Sequence, residues 1–176
     1  MSEQEQVPLE KVRRMMIRFA EGIKHSEELG LELVDITENG LIIKLPYSEK
    51  IIGNPETGVI HGGAITSLMD QTCGMAAIRS IVPEFDIAPT IDLRIDYMRA
   101  AEPGRDVFAL AETFRATKNV LFTRGIAYQD SPEKPIANGV ATFMRMGLGK
   151  TIVGKDGQKK TTVKHVGKDS ASTGEG

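Results

Sequence analysis

The 176-residue sequence is poor in the features that mark several protein classes. Its single cysteine, Cys73, makes an intrachain disulfide impossible and is expected to be a small core residue rather than a nucleophile. The three histidines are scattered along the chain, which predicts no metal site. The formal net charge of −2 favours neither a nucleic acid nor an acidic membrane surface as a partner.

Long apolar runs are also missing. No stretch approaches the roughly 20 apolar residues that a membrane-spanning helix needs. The N-terminal segment MSEQEQVPLEKVRRMM lacks the basic and apolar regions of a signal peptide, so we expect a cytoplasmic protein. With 40% hydrophobic and 26% charged residues, the composition is that of a globular protein, and the length suits one domain.

The most apolar part of the chain lies in its middle. A loop punctuated by glycine and proline, residues 53–60, leads to His61-Gly62-Gly63 and then to a long apolar stretch without proline up to Val82. This pattern predicts a loop that enters one long helix, buried on most of its circumference.

Small and polar residues share one face of this helix when about a hundred degrees are assigned to each residue. This small-residue lane consists of Gly63, Thr66, Ser67, Asp70, Gly74 and Ala77. Asp70 is the only carboxylate of the helix and has no cationic neighbour on that face. Such an acid is either functional or paired by another segment, unless the face simply contacts water. The lane leaves room for an alkyl chain or a ring.

The flanking segments supply one more helix and several strands. Apolar residues at helical spacing indicate an amphipathic helix over residues 8–23. Two apolar segments, 31–36 and 41–45, flank Glu38-Asn39-Gly40 and indicate a β-hairpin. Alternating patterns predict four further strands, which short turns would join as an antiparallel meander. These strands are residues 90–98, 106–115, 120–128 and 136–146.

Together these elements predict an α+β fold, in which an antiparallel sheet of about six strands is wrapped around one long central helix. A single domain would span residues 1–146 and include the N-terminal helix. Residues 147–176 are rich in glycine and lysine and have few large apolar side chains, which predicts a flexible polar tail.

This order of elements resembles the hotdog fold. The motif GxxHGGxxxxLxDxxxG resembles that of the PaaI-like acyl-CoA thioesterases of the phenylacetate pathway. It is formed by Gly58, His61, Gly62, Gly63, Leu68, Asp70 and Gly74. The segment TIDLRIDYMRAAEPG, residues 90–104, is similar to the strand and turn that follow the helix in that family. The resemblance covers about residues 10–146.

The resemblance implies an acyl-CoA substrate and a homodimer, often paired into a homotetramer, with active sites between subunits. The acid on one subunit's helix would face the HGG loop of its partner. Asp70 would be the nucleophile or the general base, and the N–H of Gly62 would bind the oxyanion. His61 would shape the loop and help to place the thioester carbonyl, and Asn54 would orient water or that carbonyl. No cofactor is implied, because CoA is part of the substrate.

The residue types suit this chemistry. Thioester hydrolysis passes through a tetrahedral oxyanion, which is stabilised by N–H groups that are fixed in advance. A helix N-terminus supplies free N–H groups and a partial positive charge, and glycine lets a substrate approach the backbone closely. Substrate contacts are expected along the helix face and at the end of the next strand, where an arginine would bind a CoA phosphate. The residues concerned are Gly63, Thr66, Ser67, Gly74 and Arg99.

Each of these residues also has a simpler explanation. His61 would suit a turn, the two glycines would ease packing, and Arg99 would be solvated. For the whole protein, the main alternative to hydrolysis is an acyl-CoA-binding regulator or carrier without catalysis. Hotdog dehydratases and hydratases combine a histidine and an acid in a differently spaced motif, which the sequence does not contain.

Overall fold

The computed structural model describes residues 7–37, 40–84 and 86–147. It contains the helices α1 (Leu9–Glu21), α2 (Lys24–Leu29) and α3 (Gly62–Arg79), and a short 3-10 turn, Glu49–Ile51. Its strands are β1 (Glu32–Ile36), β2 (Gly40–Leu45), β3 (Ile52–Asn54), β4 (Val59–Ile60), β5 (Thr90–Tyr97), β6 (Val107–Ala116), β7 (Val120–Tyr128) and β8 (Ala137–Met144). Glu38 and Asn39 of the predicted hairpin turn, and the predicted tail from residue 148 onwards, lie outside the described residues.

Six strands form one sheet in the order β1-β2-β6-β7-β8-β5, and all neighbours in it are antiparallel. Helix α3 lies across one face and contacts β2, β5, β6, β7 and β8. The predicted α+β architecture, a six-stranded antiparallel sheet around one long helix, is therefore confirmed. None of the helices in the described ranges is long and apolar enough to cross a membrane.

The predicted four-strand meander is wrong at its first step. Strands β6, β7 and β8 pair in sequence, but β5 pairs with β8 rather than with β6. The reason is that β6 already has two neighbours, β2 and β7, so neither of its edges is free. Strand β5 therefore forms the end of the sheet. Helix α2 and the small β3–β4 hairpin were also not predicted.

The core lies between α3 and the sheet. On the helix, Leu68, Met69 and Cys73 are completely buried. Two glycines of the sheet allow the helix to come close, because a Cβ at Gly125 would lie 3.1 Å from the Cys73 sulfur and one at Gly139 would lie 2.9 Å from the Met69 methyl carbon. Close packing of this kind keeps the helix at one height above the sheet, and thus fixes the face that it turns away from the strands.

The pairing of β2 with β6 depends on Gly40, whose missing Cβ would overlap the carbonyl oxygen of Ala111 and lie 3.0 Å from its carbonyl carbon. Backbone atoms inside a sheet cannot move aside as a side chain can, so we expect Gly40→Ala to lower the free energy of unfolding by about 3 kcal/mol. Urea unfolding would measure this change.

Gly22→Ala is a suitable control, because its Cβ would meet the nearest atom, the Phe19 carbonyl oxygen, at an ordinary 3.4 Å, and its φ is −79°. We expect that control to change stability by less than about 1 kcal/mol. A Gly40→Ala protein as stable as the control would contradict the close approach of the two strands.

Candidate active site

The N-terminus of α3 is organised by His61, which is its N-cap residue. The Nδ1 atom of His61 accepts a hydrogen bond of 2.9 Å from the N–H of Gly63, and its carbonyl oxygen accepts one of 3.0 Å from the N–H of Ala64. The N–H of Gly62 has no hydrogen-bond partner among the described residues. One amide at the positive end of a long helix is therefore free to donate to a ligand.

The absence of a side chain has a different structural consequence at each of the two glycines of the HGG motif. A Cβ at Gly63 would lie 2.9 Å from His61 Nδ1, so a side chain there would displace the cap. A Cβ at Gly62 would meet the Tyr97 side chain, with the hydroxyl at 3.5 Å and the nearest ring carbon at 3.6 Å, both ordinary contacts. Gly63 is thus needed for the cap, whereas the absence of a side chain at Gly62 leaves space next to the free N–H.

Asp70 lies on the face of α3 that the sheet does not cover, and it is half-buried. Its Oδ1 accepts a hydrogen bond of 2.8 Å from the Thr90 hydroxyl at the start of β5. No ion pair to Asp70 occurs in the described part of the chain. The predicted lane is otherwise exposed or half-buried, except for Ala77, which is fully buried against the sheet. The carboxylate is thus oriented by a neutral partner and keeps its charge available.

Two side chains of the lane bind elements that flank it. The Thr66 hydroxyl lies 3.1 Å from the Gly62 carbonyl oxygen and 2.9 Å from the Tyr97 hydroxyl of β5. The Ser67 hydroxyl donates to the Gly63 carbonyl oxygen at 3.0 Å and lies 3.1 Å from Nε2 of His25 in α2. Strand β5 and helix α2 therefore contact the exposed face of α3 within one turn of Asp70.

The remaining candidate residues lie in different surroundings. The side-chain oxygen of Asn54 accepts a 2.9 Å hydrogen bond from the N–H of Glu56, within its own turn. A Cβ at Gly74 would lie 3.2 Å from the ring of Phe143, so this glycine rests against the sheet. The Arg99 guanidinium donates to the carbonyl oxygens of Ala100 at 3.3 Å and Lys134 at 3.2 Å.

An open pocket of about 350 Å³ connects several of these positions. Gly62, Ile65, Tyr97 and Arg99 are among its lining residues. The structure therefore brings Gly62, Thr66 and Arg99 to one region, and Ser67 and Asp70 to the adjoining face of α3. Asn54 has no described side-chain contact with them, and Gly74, one turn after Asp70 in α3, is next to the Phe143 ring. Over the described ranges, no group of three or more His, Cys, Asp or Glu side chains is placed to hold a metal ion.

Three neighbours of the site were not predicted. The pairing of β5 with β8 shifts its register between Thr90 and Asp92. This shift turns the Thr90 side chain towards α3, whereas strict alternation would place the side chains of Thr90 and Asp92 together on the outer face of the sheet. Tyr97 lies in the predicted strand 90–98, but the strand pattern does not distinguish it from its neighbours; its side chain is 48% exposed. His25 belongs to a six-residue helix whose sequence carries no periodic signal.

Cys73 is close to Asp70 in sequence but is fully buried, and burial raises the pKa of its thiol to about 11. At pH 8 the group is therefore a thiol rather than a reactive thiolate. We expect the native protein to resist iodoacetamide at pH 8 and to react fully in guanidinium chloride, as mass spectrometry would show. Stoichiometric labelling of the folded protein would contradict the core position.

The profile of the thioesterase superfamily matches residues 57–136, which include the HGG motif, Asp70, Thr90 and Tyr97. A Halobacterium salinarum protein provisionally named as an esterase is 35% identical over 95 residues, which are 52% of this chain and 61% of that relative. The chain thus covers less than two thirds of that relative. The medium/long-chain acyl-CoA thioesterase YigI of Escherichia coli is 25% identical over 138 residues, or 72% of this chain and 88% of YigI.

Solved structures show the same architecture. A Pseudomonas aeruginosa protein is 54% identical, with a TM-score of 0.70, over 77% of this chain and 99% of that chain. The PaaI protein from the phenylacetic acid degradation operon of Escherichia coli shares the fold at 18% identity. Its TM-score is 0.68, over 78% of this chain and 95% of the PaaI chain. The profile and the named relatives support thioester hydrolysis as a general class of reaction. The chain therefore has the hotdog fold, and its residues 57–136 match the thioesterase superfamily.

Proposed function

We propose that the protein hydrolyses acyl-CoA thioesters to a free acid and CoA. The observation that carries the proposal is the N–H of Gly62 at the N-terminus of α3, which has no hydrogen-bond partner in the described part of the chain and lies on the same helix as the half-buried Asp70. The match to the thioesterase superfamily and the similarity to an acyl-CoA thioesterase agree with this chemistry. No cofactor is required, because CoA is part of the substrate.

In the proposed reaction the Gly62 N–H donates to the thioester carbonyl oxygen. As the carbonyl carbon becomes tetrahedral, that oxygen gains negative charge, and the hydrogen bond and the helix dipole both become more favourable. His61 holds the neighbouring N–H of Gly63 at 2.9 Å, so Gly62 keeps its orientation before the substrate arrives. An amide fixed in advance stabilises the charge without reorganising during the reaction.

Asp70 supplies the other half of the chemistry. As a general base it takes a proton from water while the water oxygen bonds to the carbonyl carbon. The carbon–sulfur bond then breaks, and the CoA thiolate takes up the proton that Asp70 removed from the water. As a nucleophile it would instead attack the carbonyl carbon. The carbon–sulfur bond would break to leave an acyl-aspartyl anhydride, and the released CoA thiolate would take a proton from water; a second water would then hydrolyse the anhydride. The Thr90 hydroxyl at 2.8 Å would orient the carboxylate in both routes. Rapid-quench mass spectrometry separates them, because only the second route adds the acyl mass to the protein.

One chain alone is unsuited to this reaction. Asp70 follows Gly62 by eight residues, which corresponds to about 12 Å along a helix axis, and two groups that act on one carbonyl must both lie near hydrogen-bond distance of it. We therefore infer that Asp70 of one copy acts with Gly62 of another. The outer edge of β5 is unpaired in the described chain, and Ile91 and Met98 beside it are 51% and 60% exposed. Such an edge suits a homodimer, which would pair further in a tetramer.

The substrate would lie along both neighbouring surfaces. The pocket lined by Gly62 and Arg99 suits the pantetheine arm, and the Arg99 guanidinium would meet a CoA phosphate near its mouth. The acyl group would follow the small-residue lane past Thr66, Ser67 and the exposed Gly63. By similarity to the relative that acts on medium and long chains, we propose that a medium- or long-chain acyl group fills the lane.

The experiment that tests this function is a turnover assay with short, medium, long and aromatic acyl-CoA esters, in which the release of the CoA thiol is measured. We expect hydrolysis with a clear preference within the panel. Tight binding of the esters without turnover of any of them would contradict the proposal and favour a non-catalytic acyl-CoA-binding protein.

A further inference from the structure

The peptide unit that joins Gly62 to Gly63 is held at both of its polar ends by side chains. Its N–H donates to Nδ1 of His61 at 2.9 Å. Its carbonyl oxygen accepts a hydrogen bond of 2.6 Å from the Tyr97 hydroxyl and one of 3.1 Å from the Thr66 hydroxyl. The two hydroxyls also lie 2.9 Å from each other. The sequence motif accounts for the histidine but not for the tyrosine.

Glycine needs such restraints more than other residues do. Without a Cβ, Gly62 can rotate over a wide range of φ, and rotation about φ would turn its N–H relative to the rest of the helix. The preceding peptide, which joins His61 to Gly62, is held at its carbonyl oxygen by a hydrogen bond of 3.0 Å from the Ala64 N–H. The Tyr97 hydroxyl holds the following peptide. The angle between the two peptides, and with it the direction of the Gly62 N–H, is then set.

Tyr97 is itself well anchored. Its backbone is part of β5 and pairs with Ala137 of β8, and the next residue, Met98, donates its N–H to the Ile136 carbonyl oxygen at 2.8 Å. The tyrosine therefore connects the sheet to the first turn of α3. It does so from the pocket that also contains Gly62 and Arg99.

We propose that Tyr97 is a positioning residue, which holds the Gly62–Gly63 peptide so that the Gly62 N–H points at the oxyanion of the tetrahedral intermediate. This inference rests on the proposed function. The hydroxyl acts on the glycine carbonyl rather than on the substrate, so its contribution appears in the transition state and not in the binding of the ground state.

The test is Tyr97→Phe, which removes one oxygen and keeps the ring. We expect kcat to fall by about tenfold or more, less than for loss of the oxyanion donor itself, while KM stays within about threefold. The dissociation constant of a CoA thioether, in which a methylene group replaces the thioester carbonyl, should stay unchanged, because that ligand has no oxyanion to bind. Thr66→Val, which removes the second hydroxyl, should lower kcat in the same direction.

Tyr47→Phe provides a matched control. The Tyr47 hydroxyl also donates to a glycine carbonyl oxygen, that of Gly58 in the loop before α3, at 2.7 Å, but Tyr47 does not line the pocket. We expect its kcat to stay within about threefold of the parent value.

The outcomes separate the two proposals. A parent enzyme that turns over no thioester contradicts the proposed function itself. If the parent is active but Tyr97→Phe and Thr66→Val keep the parent kcat, only the positioning role of Tyr97 is refuted. A rise in KM and in the thioether dissociation constant at unchanged kcat would also refute it, because Tyr97 would then be a substrate-binding residue.

Discussion

Asp70→Asn is expected to lower kcat for acyl-CoA hydrolysis by about a thousandfold, within the range that a positioned general base contributes. The amide keeps the size of the carboxylate and an oxygen that can accept from Thr90, but it takes no proton and is a poor nucleophile. The folded protein should be unaffected, because Asp70 is half-buried and makes no described ion pair. Steady-state kinetics and thermal unfolding would measure both effects.

Asp92→Asn is the matched control for this substitution. Asp92 is an exposed carboxylate of the same strand that supplies Thr90, on the opposite face of the sheet from α3. Its replacement should change kcat by less than about threefold. If Asp70→Asn retained kcat within about tenfold of the parent, Asp70 would be neither base nor nucleophile.

Gly62→Pro should remove the oxyanion donor without removing the helix. Proline has no N–H, and the first helical position, which Gly62 occupies, is the one that accepts it best. The preceding residue, His61, has φ −63° and ψ 132°, a conformation that proline permits in its neighbour. We expect kcat to fall by a factor of about 100 to 1000 while the melting temperature changes little.

Gly62→Pro both removes the N–H and adds atoms, and the variant Gly62→Ala separates these two effects on kcat. An alanine keeps the donor, and its Cβ would meet the Tyr97 hydroxyl at 3.5 Å, an ordinary contact. The alanine variant should therefore have a kcat at least about ten times that of the proline variant. Equal rates for the two would show that crowding, and not the amide, determines the effect.

The sequence predicted the parts of the fold that depend on local pattern. Helix α3 and the strands β6, β7 and β8 lie close to where apolar periodicity placed them. The order of the strands was predicted less well, because pairing is a competition between segments far apart in the chain. β6 takes β2 as its second neighbour, which the local alternation of β5 and β6 does not reveal.

The candidate site also has residues that the sequence could predict and residues that it could not. His61, Gly62 and Asp70 form one short motif on a loop and helix, so a single stretch of sequence is enough to suggest them. Thr90 and Tyr97 come to α3 from a strand at the end of the sheet, and the side chain of Thr90 faces the helix only because of an irregular register. Partners of this kind follow from the tertiary structure and leave no periodic trace in the sequence.

The central claim is that one active site combines Asp70 of one copy with Gly62 of another. Mixing the two nearly inactive variants Asp70→Asn and Gly62→Pro in equal amounts, with exchange of subunits, tests it most directly. In a mixed dimer, one of the two sites has both intact groups and the other has neither. The account predicts recovery of about a quarter of the parent activity, since half of the dimers are mixed and each has one working site. Mixed dimers that form without any gain in activity would contradict it.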